Sequence, residues 1–241
     1  MKDRIIVINI KFNSWKRAQS LDEEWIKNRL RIFAEYTLNS IKAQIRQDFI
    51  VIMKCREEMF DFTINEAKKI MPIPENVIFL NCIKKSSEFE LLKELIAGYK
   101  YYYEVRLDSD DMYAKTYIDM LYKYNPKDET EVLINQEGYI YDTKTGRLAP
   151  YHYASPPYYT FIYKVEDYLK GFRYNLGDIG HRNVILLKHE ILKGNNFLFI
   201  IHGDNIHSSF ELLISYRGKP IEDGKEEILE GFGIVEGSQN K

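Results

Sequence analysis

Four short runs rich in β-branched and aromatic residues recur along the first half of the chain, each set off from the next by a stretch of helical character. Three of them are residues 4–10 (Arg-Ile-Ile-Val-Ile-Asn-Ile), 48–54 (Asp-Phe-Ile-Val-Ile-Met-Lys) and 76–82 (Asn-Val-Ile-Phe-Leu-Asn-Cys). The fourth ends in Val105-Arg106-Leu107. Apolar runs of this kind belong to strands covered on both faces. Between them, Trp25, Ile26, Leu30, Phe33, Leu38 and Ile41 keep helical spacing from a cap at Ser20 or Asp22 to about Ala43. Residues 63–71 are weakly helical until Pro72 and Pro74 stop them, and Leu91, Leu92, Leu95 and Ile96 mark a helix from Glu88 to about Tyr102. This alternation predicts an α/β fold with a mixed, mainly parallel central sheet flanked by helices. In such sheets ligands gather at the carboxyl ends of the strands.

The fourth strand runs straight into Asp108-Ser109-Asp110-Asp111. Alternation along an extended chain aims Arg106, Asp108 and Asp110 at one face and Val105 and Leu107 at the core. Two carboxylates at a strand tip hold a hard divalent cation that keeps positions open for phosphate oxygens and water. Against this stands a plainer reading, with Asp111 capping the next helix and the other two as solvated turn residues.

What is missing narrows the choice. The first glycine is Gly98, so no glycine-rich loop follows the first strand, which excludes a dinucleotide fingerprint or a P-loop and disfavours a nucleotidyltransferase. A diphosphate bound here must be held through metal and side chains. A net charge of −2 with both signs interspersed argues against a nucleic-acid partner. Cys55 and Cys82 end apolar runs without a partnering motif, as reduced core thiols of a cytoplasmic protein do. No apolar run approaches the ~20 residues of a membrane span, which leaves peripheral contact with the inner membrane face. We expect one domain over 1–241: a nucleotide-sugar half (1–125), an acceptor half (126–217) and a surface tail (218–241).

After a helix through Tyr117, Ile118, Leu121 and Tyr122 the texture turns antiparallel. Val132 to Tyr141 and Arg147 to Tyr153 read as a hairpin about residues 142–146, and Tyr158 to Val165 as a further strand. Tyr151, Tyr153, Tyr158, Tyr159 and Tyr163 suit an acceptor groove, or are ordinary half-buried sheet tyrosines. A loop over 175–183 precedes a helix through Val184, Ile185, Leu187 and Ile191; Asp178 is its cap or a carboxylate aimed into a cleft. Phe197 to Ile201 is a buried strand leading to His202, placed to complete a manganese or magnesium site or to serve as a structural imidazole.

Taken in order, Arg29-Leu30-x-x-Phe33-x-x-Tyr36-Thr37-Leu38-x-Ser40-x-x-x-Gln44-x-x-x-Asp48-Phe49, then Arg106-Leu107-Asp108-Ser109-Asp110-Asp111, then His202-Gly203-Asp204-Asn205, resemble the rhamnosyltransferase family of bacterial glycosyltransferases. The similarity covers most of residues 4–210. It implies a GT-A-like nucleotide-diphospho-sugar transferase fold, a nucleotide-sugar donor, a glycan or glycolipid acceptor, and Mn²⁺ or Mg²⁺ on Asp108 and Asp110. To this we add His202 as a third metal ligand and Arg106, Asp108 and Asp111 as donor contacts. Asp178, then Asp204, are the candidates for the catalytic base that an inverting transfer needs. Two rival classes are a phosphatase of the Asp-x-Asp type, whose motif would follow the first strand, and a non-catalytic carbohydrate- or metal-binding module.

Overall fold

A computed structural model describes residues 2–14, 18–83, 86–203, 209–214 and 219–235. Its elements in chain order begin β1 (Lys2–Lys11), α1 (Glu23–Glu35), α2 (Thr37–Lys42), β2 (Ile50–Cys55), α3 (Phe60–Ile70), β3 (Val77–Asn81), α4 (Ser87–Leu95) and β4 (Tyr99–Leu107). There follow β5 (Met112–Tyr113), α5 (Tyr117–Lys123), β6 (Val132–Ile134), β7 (Glu137–Asp142), β8 (Arg147–His152), β9 (Tyr159–Lys164) and α6 (Val165–Leu169). Last come β10 (His189–Ile191), β11 (Phe197–Ile201), α7 (Phe210–Ile214) and α8 (Lys225–Glu230).

The larger sheet has seven strands in the order β10-β6-β9-β4-β1-β2-β3, with β9 antiparallel to both its neighbours and the other pairings parallel. The mixed, mainly parallel sheet flanked by helices is therefore present as expected. Period-two alternation divides its side chains between two cores. On one face Ile6, Ile8 and Ile10 of β1 pack with Ile26, Leu30 and Phe33 of α1 and with Ile118 and Leu121 of α5. On the other, Ile5 and Val7 pack with Leu92 of α4 and Tyr168 of α6. A smaller sheet, β5-β11-β7-β8, stands beside it with a core of its own.

Several boundaries differ from the sequence reading, each for a visible reason. Asp22 caps α1 by accepting from Trp25 N–H at 2.7 Å, yet the helix breaks at Tyr36. Ile32 and Tyr36 pack into the small-sheet core, while Leu38 and Ile41 join the large one. The helix from Glu88 stops at Leu95; Gly98, at φ +84°, turns the chain and the tyrosines at 99 and 101–103 become strand. The run from Val132 to Tyr141 is two strands in different sheets. Asn135, fully buried, pins the switch by donating to Tyr117 Oη at 3.0 Å and to the Tyr158 carbonyl at 3.1 Å. Residues 180–186 form a 3-10 helix rather than an α-helix, and 189–191 a strand.

The expected surface tail needs correction. Within 219–235, Leu229, Phe232 and Ile234 are buried in the small-sheet core, and Ile221 N–H donates to the Leu148 carbonyl at 2.7 Å. The acidic residues around α8 masked an amphipathic pattern. Phe232 meets Tyr139 edge to face with ring centroids 6.1 Å apart. Phe232→Ala should therefore cost about 3–5 kcal/mol, read as a lowered urea midpoint, where a surface residue would cost almost nothing. Among the described residues no helix is long and apolar enough to cross a membrane.

Candidate functional site

β1, β2 and β4 run parallel and end side by side, with Asn9 opposite Arg106 and Lys11 opposite Lys54. The alternation that buries Ile5, Val7, Ile52 and Tyr102 carries Asn9, Lys11, Lys54, Glu104 and Arg106 onto the same face, which thus turns from apolar to polar toward the carboxyl ends. α4 with Glu88 and Phe89, and the segment from Tyr168 to His181, close over this polar band. They enclose a cleft of about 670 Å³ with Asp108 in its wall.

The cleft is lined by four basic side chains, Lys11, Lys54, Arg106 and Arg173, against three carboxylates, Glu88, Glu104 and Asp108. Lys54 pairs with Glu88 at 2.5 Å and Arg106 with Asp108 at 3.2 Å, while the Arg173 guanidinium lies 3.2 Å from the centre of the Tyr168 ring. Burial, followed by the Lys54 and Arg106 charges, lowers the pKa of Lys11. His181 is lowered by burial and then by Arg106. Crowding of like charge in a partly dry cavity favours an anionic occupant. Burial raises the pKa of Glu104, whose Oε1 accepts from Asn9 Nδ2 at 3.0 Å.

The acidic run after β4 does not continue the strand, and its aspartates do not share one face. The strand ends at Leu107 and the chain turns at 109–110, with Asp111 N–H donating to the Asp108 carbonyl at 3.3 Å. Asp108 lies at the cleft, its side chain one-third exposed. Asp110 points elsewhere. Its Oδ1 meets Arg29 Nη2 of α1 at 3.0 Å and its Oδ2 meets His202 Nε2 at 3.2 Å. Burial works to raise its pKa, but the His202 hydrogen bond and the Arg29 charge prevail and lower it. Arg29 also donates to Ser109 Oγ at 3.1 Å, so one side chain of α1 clamps the turn.

Asp111 lies inside the fold, 1% exposed, with Oδ1 accepting from Ile200 N–H at 3.0 Å and Oδ2 from Tyr158 Oη at 2.8 Å. It is neither a helix cap nor a wall of the cleft; it ties the acidic turn to β11 and to the entry of β9. Burial, then the charges of Asp110 and Asp108, push its pKa well up.

A family model described as "Putative rhamnosyl transferase" matches residues 11–139, more than half of the chain. The chain belongs to this family. The matched span takes in Lys11, Lys54, Glu104, Arg106 and the acidic turn, while His181 and His202 lie beyond it. No curated protein matches the chain. Among solved structures, residues 1–349 of TarS from S. aureus align over 83% of this chain at 16% identity and a TM-score of 0.44; the chain spans 60% of that protein fragment. The 4-diphosphocytidyl-2C-methyl-D-erythritol synthase of Anaerococcus prevotii aligns over 95% of this chain and 94% of its own length, at 15% identity and a TM-score of 0.40. Likenesses at this level carry no functional assignment.

A rhamnosyl transferase family member with an Asp-x-Asp turn raises the question of a metal. Among the described residues no three His, Cys, Asp or Glu side chains converge as a cage. His202 joins Asp110 but neither joins Asp108. The donor set still fits an ion of the magnesium kind, which takes one or two carboxylates and fills its other positions with phosphate oxygens and water. Of the acidic turn, Asp108 is the carboxylate that lines the cleft.

Of the two candidate bases, Asp178 sits exposed in a turn two residues before Gly180, a cleft residue, and Asp204 lies outside the described residues. Lys11, Lys54, Glu104, Arg173 and His181 were not singled out from sequence. For Lys11 and Lys54 a signal existed, since each closes an apolar run at the carboxyl end of a parallel strand, as Asp108 nearly does.

The clamp gives a first test. Arg29→Met should lower stability by about 2 kcal/mol, because it leaves Asp110 partly buried with only His202 beside it. Arg29→Met combined with Asp110→Asn should recover much of that loss in a thermal-melting cycle; strict additivity would show that the two side chains act separately.

Proposed function

We propose that the chain is a metal-dependent glycosyltransferase that moves a sugar, rhamnose by its family's description, from a nucleotide-diphosphate donor to a hydroxyl of a glycan or glycolipid. The observation that carries this reading is one cleft at the carboxyl ends of β1, β2 and β4, in which Lys11, Arg106 and Asp108 stand together. Family membership supports it independently.

In this reading the diphosphate lies at the Asp108 end. Lys11 and Arg106 set fixed positive charge beside the leaving group, already oriented before the glycosidic bond breaks. A divalent cation on Asp108 would add Lewis-acid neutralisation of the same charge. Asp110, held by Arg29 and His202, keeps the turn in shape behind it. For an inverting transfer Asp178, two residues from Gly180 of the cleft wall, would take the acceptor proton from its exposed turn.

The test is a panel of nucleotide sugars assayed for donor hydrolysis with added manganese or magnesium, together with melting curves in the matching nucleoside diphosphates. The reading expects turnover of at least one donor and a melting temperature raised by its diphosphate in the presence of the metal. A protein that neither hydrolyses any donor nor responds to any diphosphate is not this enzyme.

A further inference from the structure

The cleft has two unlike ends, and on the transferase reading above they receive different parts of the donor. The Asp108 end is charged. Toward the start of β4 the walls become rings, with Phe89, Tyr163, Tyr168 and Tyr174 near Glu104, alongside the Lys54–Glu88 pair and Arg173, whose guanidinium lies 3.2 Å from the centre of the Tyr168 ring. Tyr163 lies 4.8 Å from Tyr174 and 5.1 Å from Tyr168, centroid to centroid, so the ring wall is continuous. Asp108 lies four positions beyond Glu104, just past the end of β4, about 13 Å of extended chain. That is the reach of a nucleoside diphosphate from its terminal phosphate to the far edge of its base.

Transfer requires the sugar to meet a second substrate, so the sugar cannot occupy the ring-walled end between sheet and helices. The nucleoside can. The Tyr168 ring is covered by Arg173 and Tyr163 is flanked by Tyr102 and Tyr174, so a planar base meets the half-buried rings of Phe89 and Tyr174 and the Arg173 guanidinium, groups that stack on a base. Its identity then falls to Glu104, which is partly accessible to the cleft and whose carboxylate, once ionised, only accepts hydrogen bonds. Guanine presents two adjacent donors, N1–H and the N2 amino group, that a carboxylate takes up in parallel. Uracil and thymine offer N3–H between two carbonyl oxygens, which a carboxylate repels. Adenine and cytosine set one amino donor beside a ring acceptor. We propose that the ring-walled end of this cleft is a nucleobase pocket and that Glu104 makes it selective for guanine.

Titration calorimetry of GDP, UDP, dTDP, CDP and ADP into the full chain, with manganese present, tests this. GDP should bind about tenfold more tightly than the next nucleotide, the scale of one paired set of base contacts. Glu104→Gln should erase that advantage by weakening GDP, since a single amide cannot accept both donors, while UDP and dTDP, relieved of the repulsion on their carbonyl oxygens, should bind no more weakly than to the wild type. Equal affinities for all five in the wild type overturn the guanine assignment and leave the transferase reading intact. A GDP advantage that survives Glu104→Gln removes Glu104 from the role. Failure of every nucleotide to bind overturns the transferase reading itself, and the wild-type comparison stands whether or not the variant folds.

Discussion

Asp108→Asn should cut donor turnover by about 100- to 1,000-fold, the scale on which losing one preorganised charge contact to a transition state is felt. The protein should remain folded. Among the described residues the Asp108 side chain pairs with Arg106, at 3.2 Å, and the Arg106 and Asp108 side chains are partly open to solvent, at 26% and 33% exposure. Such a pair contributes less than about 1 kcal/mol to stability, so the melting temperature should barely move while metal-dependent binding of a nucleoside diphosphate is lost. That separation makes Asp108 more diagnostic than Asp110. At Asp110 the same substitution also releases Arg29 and His202, and lost activity would be confounded with a loosened turn. Near-normal turnover by Asp108→Asn would remove this residue from the reaction.

The second large effect concerns the fold. Asp111→Leu strips the partner from Ile200 N–H and from Tyr158 Oη, two donors without access to water, and should cost about 3–5 kcal/mol in urea unfolding. Asp111→Asn keeps an oxygen for Ile200 and should be nearly neutral. The pH dependence separates the two forms further. With its folded pKa raised above the unfolded value, Asp111 binds its proton more tightly in the folded chain. Its contribution is complete below the ordinary carboxylate range and is lost as pH rises through the folded pKa. The wild type should therefore lose stability relative to Asp111→Asn as the solution goes from acid to neutral. A difference between the two that does not change with pH would mean that folding leaves the Asp111 pKa unshifted.

The parallel half of the fold was readable because its strands are near-continuous apolar runs, and β4 was found with its acidic turn attached. The site was readable only where that logic was carried through. Strand alternation was extended past Leu107 onto Asp110, although a strand that opens into a turn no longer dictates which way its side chains point. Asp108 stayed with the cleft, whereas Asp110 and Asp111 were taken up by Arg29, His202, Ile200 and Tyr158, partners from distant parts of the chain that no local pattern announces. Glu104 went unread between Tyr103 and Val105 because an isolated charge within a strand looks like an edge residue. Only the packing of α4 and the 168–181 segment over that face gives it a pocket. In the tail, the glutamates of α8 outweighed Leu229 and Phe232, which needed the small sheet beside them to become core.

The most direct measurement is a crystal structure of the chain soaked with a nucleoside diphosphate and manganese. The account predicts the diphosphate in the cleft at the ends of β1 and β4, within hydrogen-bond reach of Arg106 or Lys11, with the metal on Asp108. A nucleotide bound elsewhere, or an empty cleft with the Arg106–Asp108 pair undisturbed at saturating ligand, would contradict it.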